Sequence, residues 1–249
     1  MWSFTPRGPA TPIDVTMEYD TERGVGTLWW KPNPIGSRPV SFRIYGSDEK
    51  GFTISDKPYE VNTGDQKDKL STPFPANFVT ETSQTELIVV GIGLDLPNAN
   101  KAFYRVVAVD ANGKRSWSSD YAAAPRPFIY SEPVVTAEVG ADYRYQVATI
   151  RSLGNLTTRA PLSMNFWDIE GPIFFLEQAP EWLKIDAATG LLSGMPGTAG
   201  ESKVVVNVTI YKEVRKLDED TLSWGIEKII TTIIERIGST TQEFVIRIR

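Results

Sequence analysis

The chain has 249 residues, 41% of them apolar, with a net charge of −5, a pI of about 5.0, and neither histidine nor cysteine. That length suits two domains of about 100–150 residues better than one, and the apolar content is enough for real cores. The missing residue types exclude disulfides, thiolate nucleophiles, cysteine metal sites and histidine-dependent triads; the acidic balance excludes a globally basic nucleic-acid footprint, and no apolar run approaches the roughly 18 residues of a membrane span.

The opening "MWSFTPRGPATP" has no apolar signal-peptide core. It reads either as an ordinary cytosolic start or as a fragment of a longer secreted protein that begins at an added methionine. From Thr11 to Tyr121 there is little helical periodicity. Short runs rich in β-branched and aromatic residues, "VTMEY", "GTLWWKP", "SFRIYGS", "ELIVV", "AFYRVVAVD" and "WSSDYAAA", alternate with Gly, Pro, Asn and Asp. That grammar predicts an antiparallel sandwich. In "FYRVVAVD", Tyr104, Val106, Ala108 and Asp110 fall on one sheet face, and Asn112-Gly113 then signals a hairpin turn. "NTGDQKDKLSTPFPAN" reads as a long polar loop. The three prolines of "AAAPRPFIYSEP", Ala122 to Pro133, resist both helix and central strand and mark a junction. Phe128, Ile129 and Tyr130 are expected to pack against a domain.

Beyond the junction the strand-and-turn grammar resumes with "PVVTAEVG", "DYRYQVATI", "NFWDIEGPIFFLEQ", "SKVVVNVTIYKEV" and "QEFVIRIR". In the last of these Phe244, Ile246 and Ile248 share one face. One segment breaks the pattern. In "DEDTLSWGIEKIITTIIERIG", apolar residues at Leu222, Ile226, Ile229, Ile230, Ile233, Ile234 and Ile237 recur at helical spacings. The acidic 218–220 cluster suits a helix N-terminus and Gly238 its end, so a helix is predicted over about 219–238. The β-branched run at 229–234 pulls the other way, towards a long hairpin.

"WLKIDAATGLLSGMPGTAG", Trp182 to Gly200, holds Gly190, Gly194, Gly197 and Gly200. A phosphate-cradling loop needs convergent N–H groups before a helix. Here Pro196 has no N–H to give and a valine-rich strand follows. "DAATG" therefore reads as a turn capped by Asp186 and Thr189, "LLSG" as a short strand and "MPGTAG" as the next turn.

The same stretch, continued into "ESKVVVNV", resembles the signature of the putative immunoglobulin-like group, cadherin-like modules of bacterial extracellular proteins. Pro180, Leu183, Ile185, Asp186, Thr189, Gly190, Leu192, Gly194, Pro196 and Gly200 carry the match, with "YRYQV" and "QEFVIRI" as its first and last strands. The N-terminal half resembles a fibronectin type III domain through Trp30, Tyr45 and "YRVVAVDANGKRSWSS", and the resemblance implies core roles for Trp30, Tyr45 and Tyr104. The expected fold class is thus all-β, two tandem antiparallel β-sandwiches, over 9–125 and 131–249, with one inserted helix. Both resembled families are non-enzymatic extracellular modules. They imply a spacer or protein-contact region of a larger secreted or cell-surface protein, contacting neighbouring domains of its parent chain, a surface protein or a polysaccharide. Neither nucleic acid nor membrane insertion is expected.

No catalytic residue and no cofactor is expected. Calcium is the leading metal candidate, since cadherin-like domains can bind it, through Asp142, Asp168, Glu170 and the 218–220 cluster, but no Asp-x-Asp motif gathers them and Arg151 sits where an acid would help. The competing functional class is a carbohydrate-binding accessory region. Its candidate platform is Trp29, Trp117 and Trp167, with Trp29 pointing away from its core-facing neighbour Trp30.

Overall fold

A computed structural model of the chain describes residues 8–20, 23–63, 70–155, 168–217 and 230–249. They divide into two units, the first drawn from Met1–Pro125 and Ser152–Asn165, the second from Arg126–Arg151 and Phe166–Arg249. Among the described residues every regular element is a β-strand.

The first unit opens with β1 (Ile13–Asp20), β2 (Val25–Lys31), β3 (Pro39–Ser47) and β4 (Glu49–Lys50). It continues through β5 (Tyr59–Thr63), β6 (Leu70–Phe74), β7 (Phe78–Thr82), β8 (Glu86–Val90), β9 (Phe103–Asp110) and β10 (Ala122–Ala123). Two antiparallel sheets form, in the orders β1-β2-β8 and β10-β9-β3-β7, with β5-β6 as a side ribbon. The period-two pattern of β2 decides its orientation. Gly26, Leu28 and Trp30 are buried, while Trp29 and Lys31 face outward. The Trp30 ring then meets Phe42 of the opposite sheet edge-on at 5.6 Å, which is how the two sheets share one core. Tyr104 on β9 is fully buried, and its hydroxyl donates to the Val89 carbonyl at 2.9 Å while accepting the Lys101 amide at 2.8 Å. Tyr45 is also buried in this core.

The second unit contains β11 (Thr136–Ala137) and β12 (Tyr143–Gln146). The chain then gives β13 (Gly154–Asn155) to the first unit, where it pairs in parallel with β4. β14 (Asp168–Gln178), β15 (Leu183–Ile185), β16 (Leu191–Gly194), β17 (Gly200–Leu217) and β18 (Ile230–Ile248) complete the second unit. Its sheets run β11-β18-β17-β14 and β12-β16-β15. Valines 204, 206 and 208, with Phe244, Ile246 and Ile248, supply one inner face; Tyr143, Tyr145 and Leu192 supply the other. Tyr145 and Phe244 meet edge-on across the core at 5.8 Å, and the Tyr145 hydroxyl donates to Gln242 Oε1 at 2.8 Å. Phe128 is buried, and Ile129 packs against this core.

The helix expected over about 219–238 is corrected by the structure. Ile230 to Gly238 belongs to β18, which pairs with β17 from Leu217↔Ile230 to Gly200↔Ile248; residues 218–229 lie outside the described residues. The β-branched run of Ile and Thr crowds the preceding turn of a helix but fits a pleated surface. Isoleucines stand on both faces of this strand, and a bulge falls where Ile210 pairs with Gly238 but Tyr211 already pairs with Arg236. Ile237 is the extra residue. Two apolar faces plus one bulge imitate spacings of three and four.

Candidate functional site

The residues singled out in the sequence fall in different places. Trp29 stands on the outer face of the β1-β2-β8 sheet, 38% exposed, opposite Thr16 and Glu86. Trp117 is 88% exposed and follows β9, an inner strand of the other sheet. Its presentation has a local cause. Ser116 and Ser119 each give a hydroxyl oxygen to a β9 amide, Ala108 N–H and Val106 N–H, both at 2.9 Å. The chain is thereby tied to β9 on either side of Trp117, and the ring is left outside. The two tryptophans do not share a sheet. Trp167 lies outside the described residues.

Asp186 and Thr189 build a turn. Asp186 Oδ1 accepts the amides of Ala188 at 3.0 Å and Thr189 at 2.8 Å, and the Asp186 carbonyl accepts Gly190 N–H at 2.9 Å. Bonding from the Thr189 amide and side chain, then from Ala188, holds the Asp186 carboxyl below its usual range. Gly194 sits where β16 pairs with both β12 and β15, and a Cβ there would fall 2.0 Å from the Trp182 carbonyl oxygen. The carbonyl of Pro196 accepts Gly140 N–H at 2.9 Å.

Other acids are equally occupied. In the first unit Asp56 Oδ1 accepts Arg43 Nη2 and the Tyr45 hydroxyl, both at 2.9 Å, and Arg115 reaches Oδ2 at 3.2 Å. Burial pushes the Asp56 pKa up, but these donors outweigh it and hold it below the ordinary carboxylate range. In the second unit Glu170 pairs with Arg126 at 3.3 Å, both side chains largely buried. No three acidic side chains converge on a point among the described residues.

Two clefts are shaped well enough to consider. One, of about 210 Å³ in the first unit, is bordered by Asp48, Lys101, Asn77 and Phe74. The polar side chains of Asp48, Lys101 and Asn77 bond within the protein. Asp48 takes Lys101 Nζ at 2.9 Å and the Ala102 amide at 3.0 Å, and the Asn77 side chain bonds Thr53 O and Ser55 N, both at 2.8 Å.

The other, of about 330 Å³, lies in the second unit. It opens because pairing between β12 and β16 stops at Gln146↔Leu191. Val147 N–H still reaches Gly190 O at 3.1 Å, after which the 186–190 turn diverges from the chain running to Arg151. Phe174 and Pro172 form apolar wall, and Tyr130, Gln146, Thr149 and Thr189 bring polar groups. Among the described residues Arg151 is the one charged residue on the lining, and it is exposed. In the sequence Arg151 stands out only as a base where calcium would want an acid, because the lining comes from four separated segments that no local motif joins.

A family model described as Putative Ig domain matches residues 126–222. The match supports an Ig-like domain in the second unit. The matched residues contain β12, β14, β15, β16 and β17, and an Ig-like fold typically serves as a structural or protein-contact module. No curated protein matches the chain.

Proposed function

We propose that the chain is a non-catalytic spacer and protein-contact region of a larger secreted or cell-surface protein, with a fibronectin type III-like unit preceding the Ig-like domain. The observation that carries this reading is the parallel pairing of β11 with the end of β18. Arg247 N–H bonds Val135 O at 2.9 Å, Arg249 N–H bonds Ala137 O at 3.0 Å, and Val139 N–H bonds Arg249 O at 2.9 Å. These are the first and last strands of the unit. Tension along the chain pulls parallel neighbours past each other, so the three bonds bear load together rather than one after another. That geometry suits an element that transmits force or holds spacing. The fibronectin-like reading is supported by the β1-β2-β8 and β10-β9-β3-β7 orders and by Trp30, Tyr45 and Tyr104 in the core. The cadherin-like signature around Asp186 and Gly190 supports the extracellular setting.

The alternative of a carbohydrate platform draws on the exposure of Trp29 and Trp117. Trp29 stands on the β1-β2-β8 sheet and Trp117 in the chain after β9, which weighs against the one flat pair of rings that a stacking platform needs. Exchange of residues 9–249 in the parent protein for an unrelated tandem sandwich of equal length tests the spacer reading. Retained parent function supports it. Loss of function that is restored by Trp29 and Trp117 alone, grafted onto the replacement, overturns it in favour of the platform.

A further inference from the structure

The 330 Å³ cleft of the Ig-like domain has features that the spacer reading does not use. Its volume is at the lower end of small-molecule sites, roughly 300–1,000 Å³. Its floor is fixed, because the Phe174 ring rests on Gly190 with no room for a side chain between them. Its charge is one-sided. Among the described residues Arg151 lines it, no carboxylate does, and Arg151 has no ion-pair partner. The Tyr130 hydroxyl likewise bonds no described residue, while its backbone amide is anchored to Ala148 O at 3.0 Å.

The remaining polar groups are oriented. Gln146 Nε2 donates to Val147 O at 3.0 Å and to Thr189 O at 2.6 Å. Both amide hydrogens are thus engaged and the side-chain carbonyl is left as an acceptor. Thr149 Oγ1 donates to Phe128 O at 2.8 Å, leaving its lone pairs as acceptors. The cleft therefore offers one planar cation, one phenol, and acceptors suited to hydroxyl donors, over apolar wall from Pro172 and Phe174.

From this set we propose that the cleft binds the uronic-acid unit of an acidic polysaccharide, with Arg151 on the carboxylate. Guanidinium and carboxylate match in a planar, two-bond geometry. The Gln146 carbonyl and the threonine hydroxyl accept from sugar hydroxyls, and the C–H face of the ring lies on Tyr130 and Pro172. A peptide added as a strand fits less well. The 147–150 segment is bonded along one edge to Phe128 and Tyr130, and on the other Val147 N–H is held by Gly190 and Val147 O by Gln146. No run of alternating free N–H and C=O groups remains for strand addition.

The test is an amide chemical-shift titration of the full chain with tetragalacturonate, beside neutral cellotetraose, acetate and a tetraglutamate peptide. The proposal expects saturable shifts at 146–151 and 188–190 with tetragalacturonate, at least tenfold weaker binding of every other probe, and weakening as salt is raised. Arg151→Gln should lose at least tenfold, and Tyr130→Phe should also weaken binding while the melting temperature of both variants stays unchanged. Equal binding of the neutral glycan, equal binding of the peptide, an undiminished Arg151→Gln, or no saturation each overturns it. Should Arg151→Gln melt early, Tyr130→Phe and the salt series decide in its place: weakened binding in both supports the proposal, and unchanged binding in either overturns it.

Discussion

Gly190 lies directly against Phe174: a Cβ at position 190 would stand 2.8 Å from the ring, and the backbone there has φ of +75°. Two constraints meet at one residue, a left-handed turn and a close approach. Gly190→Ala therefore strains the backbone and pushes on a core ring at once. A loss of about 1–3 kcal/mol is expected in urea unfolding of the Ig-like domain. An unchanged midpoint would mean that the Asp186–Gly190 turn can shift freely.

Tyr104→Phe tests the first core. The substitution leaves Val89 O and Lys101 N–H without the hydroxyl that both use, in a site with 0% exposure. Unpaired buried groups cost about 1–3 kcal/mol. A melt should show the first unit weakened and the second untouched; a loss shared equally by both transitions would contradict separate cores.

Trp30 of β2 and the exposed tryptophan after β9 should behave differently. Trp30, 3% exposed and stacked edge-on against Phe42, should cost about 3–5 kcal/mol on truncation to alanine. Trp117→Ala, at 88% exposure, should stay within about 0.5 kcal/mol. A large loss at Trp117 would show that its ring supports the fold rather than being displayed by it.

Acid should weaken both units through identifiable carboxylates. Asp186 is held low by Thr189 and Ala188, and Asp110 by Ser37 first and then, against some burial, by the Lys114 and Asn112 amides. Burial raises Asp56, but Arg43, Tyr45 and Arg115 outweigh it and leave it low. In each case the folded pKa lies below the unfolded value of about 3.9. The stabilisation is therefore complete above that value and is lost as pH falls through the folded pKa. Thermal melts should drop below about pH 4. Asp186→Asn should flatten the decline in the second unit's transition alone, and an unaltered acid profile in that variant would show that Asp186 contributes nothing to it.

Much of the fold is legible in the sequence. Alternation in "EFVIRIR" places Phe244, Ile246 and Ile248 inward, and "LLSG" between glycine turns is β16. Strong period-two patterns and glycine turns are local signals, so they survive into the fold. The 230–238 segment misleads for a physical reason. Isoleucines on both faces erase alternation, and the bulge at Ile237 shifts the phase by one residue, so a strand acquires the spacing of a helix. Amide exchange and Cα shifts check this directly: strand shifts with Val214–Ile233 cross-strand contacts are expected, and helical shifts would reverse the correction. The cleft is illegible in the sequence because Tyr130, Gln146, Arg151, Phe174 and Thr189 meet only through tertiary pairing.

Single-molecule pulling on the full chain tests most directly the proposal that it bears load and holds spacing. With β11 and β18 sheared in parallel, the Ig-like domain should rupture in one cooperative high-force event. Val139→Pro, which removes the Val139 N–H to Arg249 O bond at 2.9 Å, should lower that force while leaving most of the thermal stability in place. Gradual lengthening at low force, with Val139→Pro indistinguishable from the unaltered chain, would contradict the account.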